Sequence, residues 1–85
     1  MEISSVRVLG ALIRKRREEV GMTAAETAEL AGVSRRLLIE LERGKRPNVR
    51  LSAVLRILAL LGLEVQVIPR GLPGTRDGTR GRKSV

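Results

Sequence analysis

Apolar residues along this chain fall into four clusters with helical spacing, followed by one short segment that alternates. Leu9, Leu12, Ile13 and Val20 lie close to one side of a helix from about Ser5 to Val20, capped by Ser4 or Ser5 and stopped by Gly21. A second helix starts at Thr23, where Thr23-Ala24-Ala25-Glu26 has the spacing of a capping box, and ends near Ala31 before Gly32. A third runs from its cap Ser34 to Arg43, with Gly44 as its stop. Leu37, Leu38 and Leu41 occupy one side of it, while Arg36, Ile39, Glu40 and Arg43 follow i, i+3, i+4, i+7 on the other, with Arg35 beside them. After a basic connector containing Pro47, a fourth helix is predicted from about Leu51 to Leu61. Leu51, Val54, Leu55 and Leu58 make its core stripe, and Ile57, Leu60 and Leu61 extend the apolar surface beyond that stripe.

Residues 63–68, Leu-Glu-Val-Gln-Val-Ile, alternate and are rich in β-branched side chains, which predicts a strand. Everything before it is helical, so this strand has no ladder partner in its own chain. Pairing with the same strand of a second copy across a two-fold axis satisfies it. The predicted fold is therefore all-α: four to five helices with one C-terminal strand pairing across a homodimer. Ile57, Leu60, Leu61, Val65, Val67 and Ile68 form the expected dimer interface. The domain is expected over residues 5–69. Residues 70–85, rich in Gly and basic side chains, read as a flexible tail. That tail has three open readings: a DNA-binding arm, a segment that folds on an acidic partner, or an idle linker.

Composition narrows the chemistry. With 85 residues the chain makes one small domain, and 17 Lys and Arg against 9 Asp and Glu leave a net charge of +8. Such a surface favours polyanions. There is no Cys and no His, which removes disulfides, thiolate chemistry, the usual proton shuttle and the commonest zinc ligand. No metal, no cofactor and no enzymatic activity are expected. Aromatic residues are absent, which counts against a single-strand binder that stacks bases. The beginning of the chain lacks the long apolar core of a signal peptide, and the apolar run from Ile57 to Leu63 is too short to span a bilayer. A cytoplasmic protein with no membrane partner is the expectation.

The stretch from Met22 to Gly44 (helix, short turn around Gly32, helix) has the layout of a helix-turn-helix, whose second helix enters the DNA major groove. Arg35 and Arg36 open that second helix, and Arg binds guanine O6 and N7 with two hydrogen bonds. Glu40 has two readings, accepting from cytosine N4 or pairing with Arg36 or Arg43. Ile39 either meets a thymine methyl or covers Leu in a partner. Arg43, Lys45 and Arg46 are placed near phosphates with the helix-two start at Thr23 and Ala24, and Arg14, Lys15 and Arg50 are further candidates. Arg17 lies four residues after Ile13 and Glu42 four after Leu38, so both charges fall on core sides, where burial is costly unless they pair.

Over residues 8 to 62 the chain resembles the XRE-type family of Cro- and repressor-like regulators. The likeness is carried by Leu12-Ile13-Arg14 with Arg17, Gly21-Met22-Thr23, Ala28 with Ala31-Gly32-Val33-Ser34, and Leu38 with Leu41-Glu42 and Gly44. With a Leu-rich fourth helix and a following strand, it looks most like the HipB-like antitoxin branch. The resemblance implies a dimeric, sequence-specific repressor of a palindromic operator, with reading helices on the order of 34 Å apart. It places Ser34, Arg35, Arg36 and Glu40 at base-reading positions and makes Arg17 and Glu42 a structural ion pair. In that branch the repressor is the antitoxin of a type II toxin–antitoxin operon and binds a kinase-like toxin. Two alternatives are a stand-alone phage or operon repressor, and a protein-interaction module that has lost DNA binding. Two positions depart from the family: Ala24 stands where a phosphate-touching Gln is common, and Thr27 where a large aliphatic fills the core, which predicts looser packing there.

Overall fold

The computed structural model describes residues 2–69. Four helices fill it: α1 (Val6–Glu19), α2 (Ala24–Ala31), α3 (Arg35–Glu42) and α4 (Leu51–Leu60). Local chemistry sets their ends. The Ser5 hydroxyl accepts from the Val8 amide at 3.2 Å, and the Ser34 hydroxyl accepts from the Leu37 amide at 3.0 Å. At α2 the capping box is complete: Thr23 Oγ1 accepts from the Glu26 amide at 3.0 Å, and Glu26 Oε1 from the Thr23 amide at 2.9 Å. Each helix then stops the same way. Gly21, Gly32, Gly44 and Gly62 take positive φ, and the residue after each donates back to a carbonyl five residues earlier, as Val33 does to Ala28 and Leu63 to Leu58. Glycine suits that left-handed residue because it has no Cβ to clash with the backbone.

Helix α3 packs on α1 and α2, and α2 packs on α4. The core cluster joins Ile13, Ala28, Ala31, Leu38, Leu41, Val54, Ile57, Leu58 and Leu61. Thr27 is fully buried among these helices, and its hydroxyl donates to the Thr23 carbonyl at 2.9 Å, so the polar group in the aliphatic position is satisfied.

The rotation of α4 corrects the expected interface. Ile57 and Leu61 are 0% and 2% exposed, inside the chain's own core, and are not presented to a partner. Leu51 and Leu55, expected in the core stripe, are 70% and 42% exposed. The helix is apolar around most of its girth, so periodicity alone offered two faces of similar quality. Packing against α2 selects the face of Ala53, Val54, Ile57, Leu58 and Leu61. Leu51, Leu55 and Ala59, at i, i+4 and i+8, form the outward stripe.

Two arginines fasten helix ends over long sequence separations. Arg16 on α1 donates through Nε to the Leu61 carbonyl at 2.9 Å, and Arg56 on α4 donates through Nε to the Ala31 carbonyl at 3.0 Å. Both place a cation at the negative end of another helix. No strand occurs among the described residues: 63–69 carry no regular element. Leu63 packs against the core, while Val65, Val67 and Ile68 are 53%, 94% and 72% exposed. A single chain offers this segment no ladder to join. The expected tail at 70–85 lies outside the described residues.

Candidate nucleic-acid interface

Helices α2 and α3, joined by Gly32, Val33 and Ser34, form a helix-turn-helix. Leu38 and Leu41 bury one face of α3, which leaves Ser34, Arg35, Arg36 and Arg43 exposed, with Ile39 and Glu40 half-buried at the edges. The second helix is thereby gripped from behind and open in front, the arrangement a groove-reading helix requires. Arg35 and Arg43 have no carboxylate partner among the described residues, so their guanidinium groups are available to a ligand.

Of its two sequence readings, Glu40 takes the second, pairing with Arg36, and adds a partner the sequence did not name. Its Oε2 accepts from Arg36 Nε at 3.0 Å, and its Oε1 accepts from Arg46 Nε at 2.9 Å. The Arg36 hydrogen bond, with Arg46 adding to it, holds this carboxyl below the usual carboxylate range. Arg43, the other expected partner, is not engaged. Arg46 was placed near phosphates by the sequence; it is half-buried and tied to α3, and Lys45 beside it stays exposed.

Behind the reading helix, Arg17 and Glu42 meet. Arg17 Nε donates to Glu42 Oε2 at 2.7 Å and Nη2 to Oε1 at 2.9 Å, a two-pronged pair with side chains 13% and 6% exposed. Arg17 Nη1 also donates to the Met22 carbonyl at 2.9 Å. The hydrogen-bonded Glu42 carboxylate raises the Arg17 pKa against the burial that opposes its charge. This pair joins α1, the end of α3 and the α1–α2 turn.

Around it a cleft of about 220 Å³ is lined by Arg14, Arg17, Ala24, Ile39, Glu42 and Arg43. The short Ala24 side chain leaves this space open where a longer residue would fill it. At its rim the amides of Ala24 and Ala25 head α2 with no intrahelical acceptor, since the Thr23 hydroxyl already serves Glu26. The Thr23 amide is likewise taken by Glu26, so Thr23 contributes less to anion binding than its position suggests. Arg14 at the same rim is paired with Glu18 on the surface at 3.3 Å. Lys15 is exposed on α1 without a carboxylate partner among the described residues.

Two residues near this surface escaped the sequence reading. Arg7 packs over Gly44, where a Cβ would lie 2.9 Å from Arg7 Cγ, and so stands beside Lys45. Its signal is faint, a cation in the first turn of α1. Arg56 is the one charge inside α4, and with Arg46 and Arg50 it lines a second cleft of about 260 Å³ beneath the α2–α3 turn. A charge interrupting an apolar helix was legible, but its partner 25 residues away was not.

This geometry defines a four-helix domain built around a helix-turn-helix with an accessible second helix. Residues 8–70 match the family described as helix-turn-helix domain. An HTH-type transcriptional regulator of Sinorhizobium fredii is 36% identical over 63 residues, covering 74% of this chain and 82% of its own. Another of Methanothermobacter thermautotrophicus is 45% identical over 54 residues, covering 62% and 75%. The restriction-modification controller protein C.AhdI from Aeromonas hydrophila superimposes with a TM-score of 0.65 at 30% identity, covering 69% of this chain and 88% of that one. HipB, in a HipB–O4 20mer complex, shares the fold with a TM-score of 0.71 at 24% identity, covering 79% and 93%. The chain belongs to the helix-turn-helix family, with the fold of its XRE-type members. Among the described residues no helix is long and apolar enough to cross a membrane.

Proposed function

We propose that this protein is a sequence-specific DNA-binding transcriptional repressor that acts as a homodimer on a palindromic operator. The observation that carries this reading is the outward face of α3, where Arg35, Arg36 and Arg43 stand exposed on a helix whose opposite face is buried. The HTH-type regulators among its relatives support the same reading. Ser34, Arg35, Arg36 and Ile39 meet base edges. The amides at the start of α2, together with Arg43 and Lys45, bind phosphates. Arg7 joins them at the Lys45 edge.

Binding to the DNA upstream of its own gene, compared with scrambled DNA across a salt series, tests this. A preference of about a thousandfold at physiological salt is expected. Arg35→Ala and Arg36→Ala each lower discrimination by about 1–3 kcal/mol at one base pair. Lys45→Ala instead weakens all sequences alike and reduces the salt slope by about 1. Equal, salt-sensitive binding to both DNAs, with no effect of the arginine substitutions on base preference, refutes the assignment.

The dimer closes through residues 63–68 paired across the two-fold axis and through the outward stripe of α4. Exposed Leu51, Leu55, Val65, Val67 and Ile68 leave apolar area in water whose burial contributes about 1.5–3 kcal/mol for a whole side chain. Leu55→Glu converts the dimer to a monomer in sedimentation experiments, keeps the helical circular dichroism, and lowers operator affinity about 10²-fold. A wild-type chain that is monomeric at micromolar concentration excludes this arrangement.

In its finer form the proposal makes the repressor the antitoxin of a type II toxin–antitoxin operon, autoregulating and binding a kinase-like toxin. It rests on the resemblance of the fourth helix and residues 63–68 to the HipB-like branch. Co-purification with the product of an adjacent kinase-like gene tests it. The 30% identity to a restriction-modification controller favours a second reading, a regulator with no toxin partner.

A further inference from the structure

We infer that Glu40 does not read a base but positions the residue that does: it holds Arg36 by Nε, leaves the guanidinium fork free, and ties the basic connector to the reading helix. The inference rests on the DNA-reading role proposed above.

Both Glu40 oxygens are occupied, one by Arg36 and one by Arg46. Accepting from a cytosine amino group as well would bring this carboxylate, already held by two charge-assisted bonds, into the phosphate field of DNA. The manner of binding matters as much. Each arginine is held through Nε, the atom a guanine does not need, whereas the two Nη groups make the fork that matches guanine O6 and N7. The Arg36 side chain is 83% exposed, so its fork stands in solvent with its stem pinned. An unpinned arginine this exposed samples many rotamers, and ordering them on binding opposes recognition. Arg46 is the second arm. Its bond to Glu40, with the Lys45 amide donating to the Glu40 carbonyl at 2.8 Å, fixes the start of the connector against the end of α3. One carboxylate therefore sets the position of a base-reading cation and of the phosphate-side segment together. It also offsets one positive charge on the face, which lowers binding to DNA of any sequence.

The test is a double-variant cycle on the full chain, read by selection from random-sequence DNA and by salt titration on fixed duplexes. Glu40→Ala is expected to lower discrimination about tenfold at the base pair that Arg36→Ala affects, and to steepen the salt slope by about 1. In an Arg36→Ala background, Glu40→Ala leaves base preference unchanged. Glu40→Gln keeps the shape and one acceptor oxygen, so it shows the same direction with a smaller size and guards against a folding defect. If Glu40→Ala changes preference at a different base pair, or still changes it without Arg36, Glu40 reads DNA directly and the inference is overturned while the DNA-reading proposal stands. A wild-type chain that selects no sequence overturns both.

Discussion

Gly10→Ala is expected to destabilise the domain by more than about 2 kcal/mol, lowering the thermal midpoint by on the order of 10 °C. Helix propensity predicts the opposite sign, because alanine in a helix interior is favoured over glycine by about 1 kcal/mol. Packing decides otherwise. Gly10 is buried where α1 crosses the end of α3, and a Cβ there would overlap the Leu41 carbonyl oxygen, with Leu41 C at 3.0 Å and Glu42 Cα at 3.1 Å. All three atoms are backbone, so relief requires moving the whole of α3 away from α1 rather than turning a side chain. The same shift strains the Arg17–Glu42 pair, which spans these helices. Thermal unfolding followed by circular dichroism measures it. A midpoint that stays level or rises would mean that the two helices separate without cost.

Glu42→Ala is expected to cost about 3–5 kcal/mol, because it leaves the Arg17 guanidinium largely buried with only the Met22 carbonyl to accept from it. A domain of this size has limited stability to lose, so the variant should be substantially unfolded near body temperature. The burial makes this pair different from the surface pairs of Arg14 with Glu18 and Arg16 with Glu19, which contribute at most about 1 kcal/mol each. Replacing both partners by apolar residues, as in Arg17→Met with Glu42→Leu, should recover much of the loss, since neither charge is then stranded. Urea unfolding of the two single variants and the double variant checks this. A double variant no better than either single one would show that the charges do more than compensate each other. Base preference of the folded fraction is expected to remain that of the wild type, because neither side chain lies on the outward face of α3.

Much of this protein was legible in order along the chain. The caps at Thr23 and Ser34, and the glycine stops at Gly21, Gly32 and Gly44, are interactions between residues three to five apart, so their chemistry appears as spacing. The amphipathic division of α3 is equally local, and it placed Arg35, Arg36 and Arg43 on the open side. Even Arg17 and Glu42 were traceable, because each charge interrupts an apolar stripe and a buried charge demands a partner.

The tertiary structure decided what local rules leave degenerate. Helix α4 is apolar on nearly every side, so its period names no face, and only contact with α2 buries Ile57 and Leu61 and leaves Leu51 and Leu55 outside. Glu40 had several arginines within reach, and the turn of the connector after Gly44 brings Arg46 to it rather than Arg43. The roles of Arg16 and Arg56 depend on carbonyls 45 and 25 residues away. Gly10 even changes the sign of its substitution once α3 lies against it. Spacing along the chain encodes bonds that close within one or two helical turns; which surfaces meet across the core depends on how all four helices fill it at once, and no single segment carries that information.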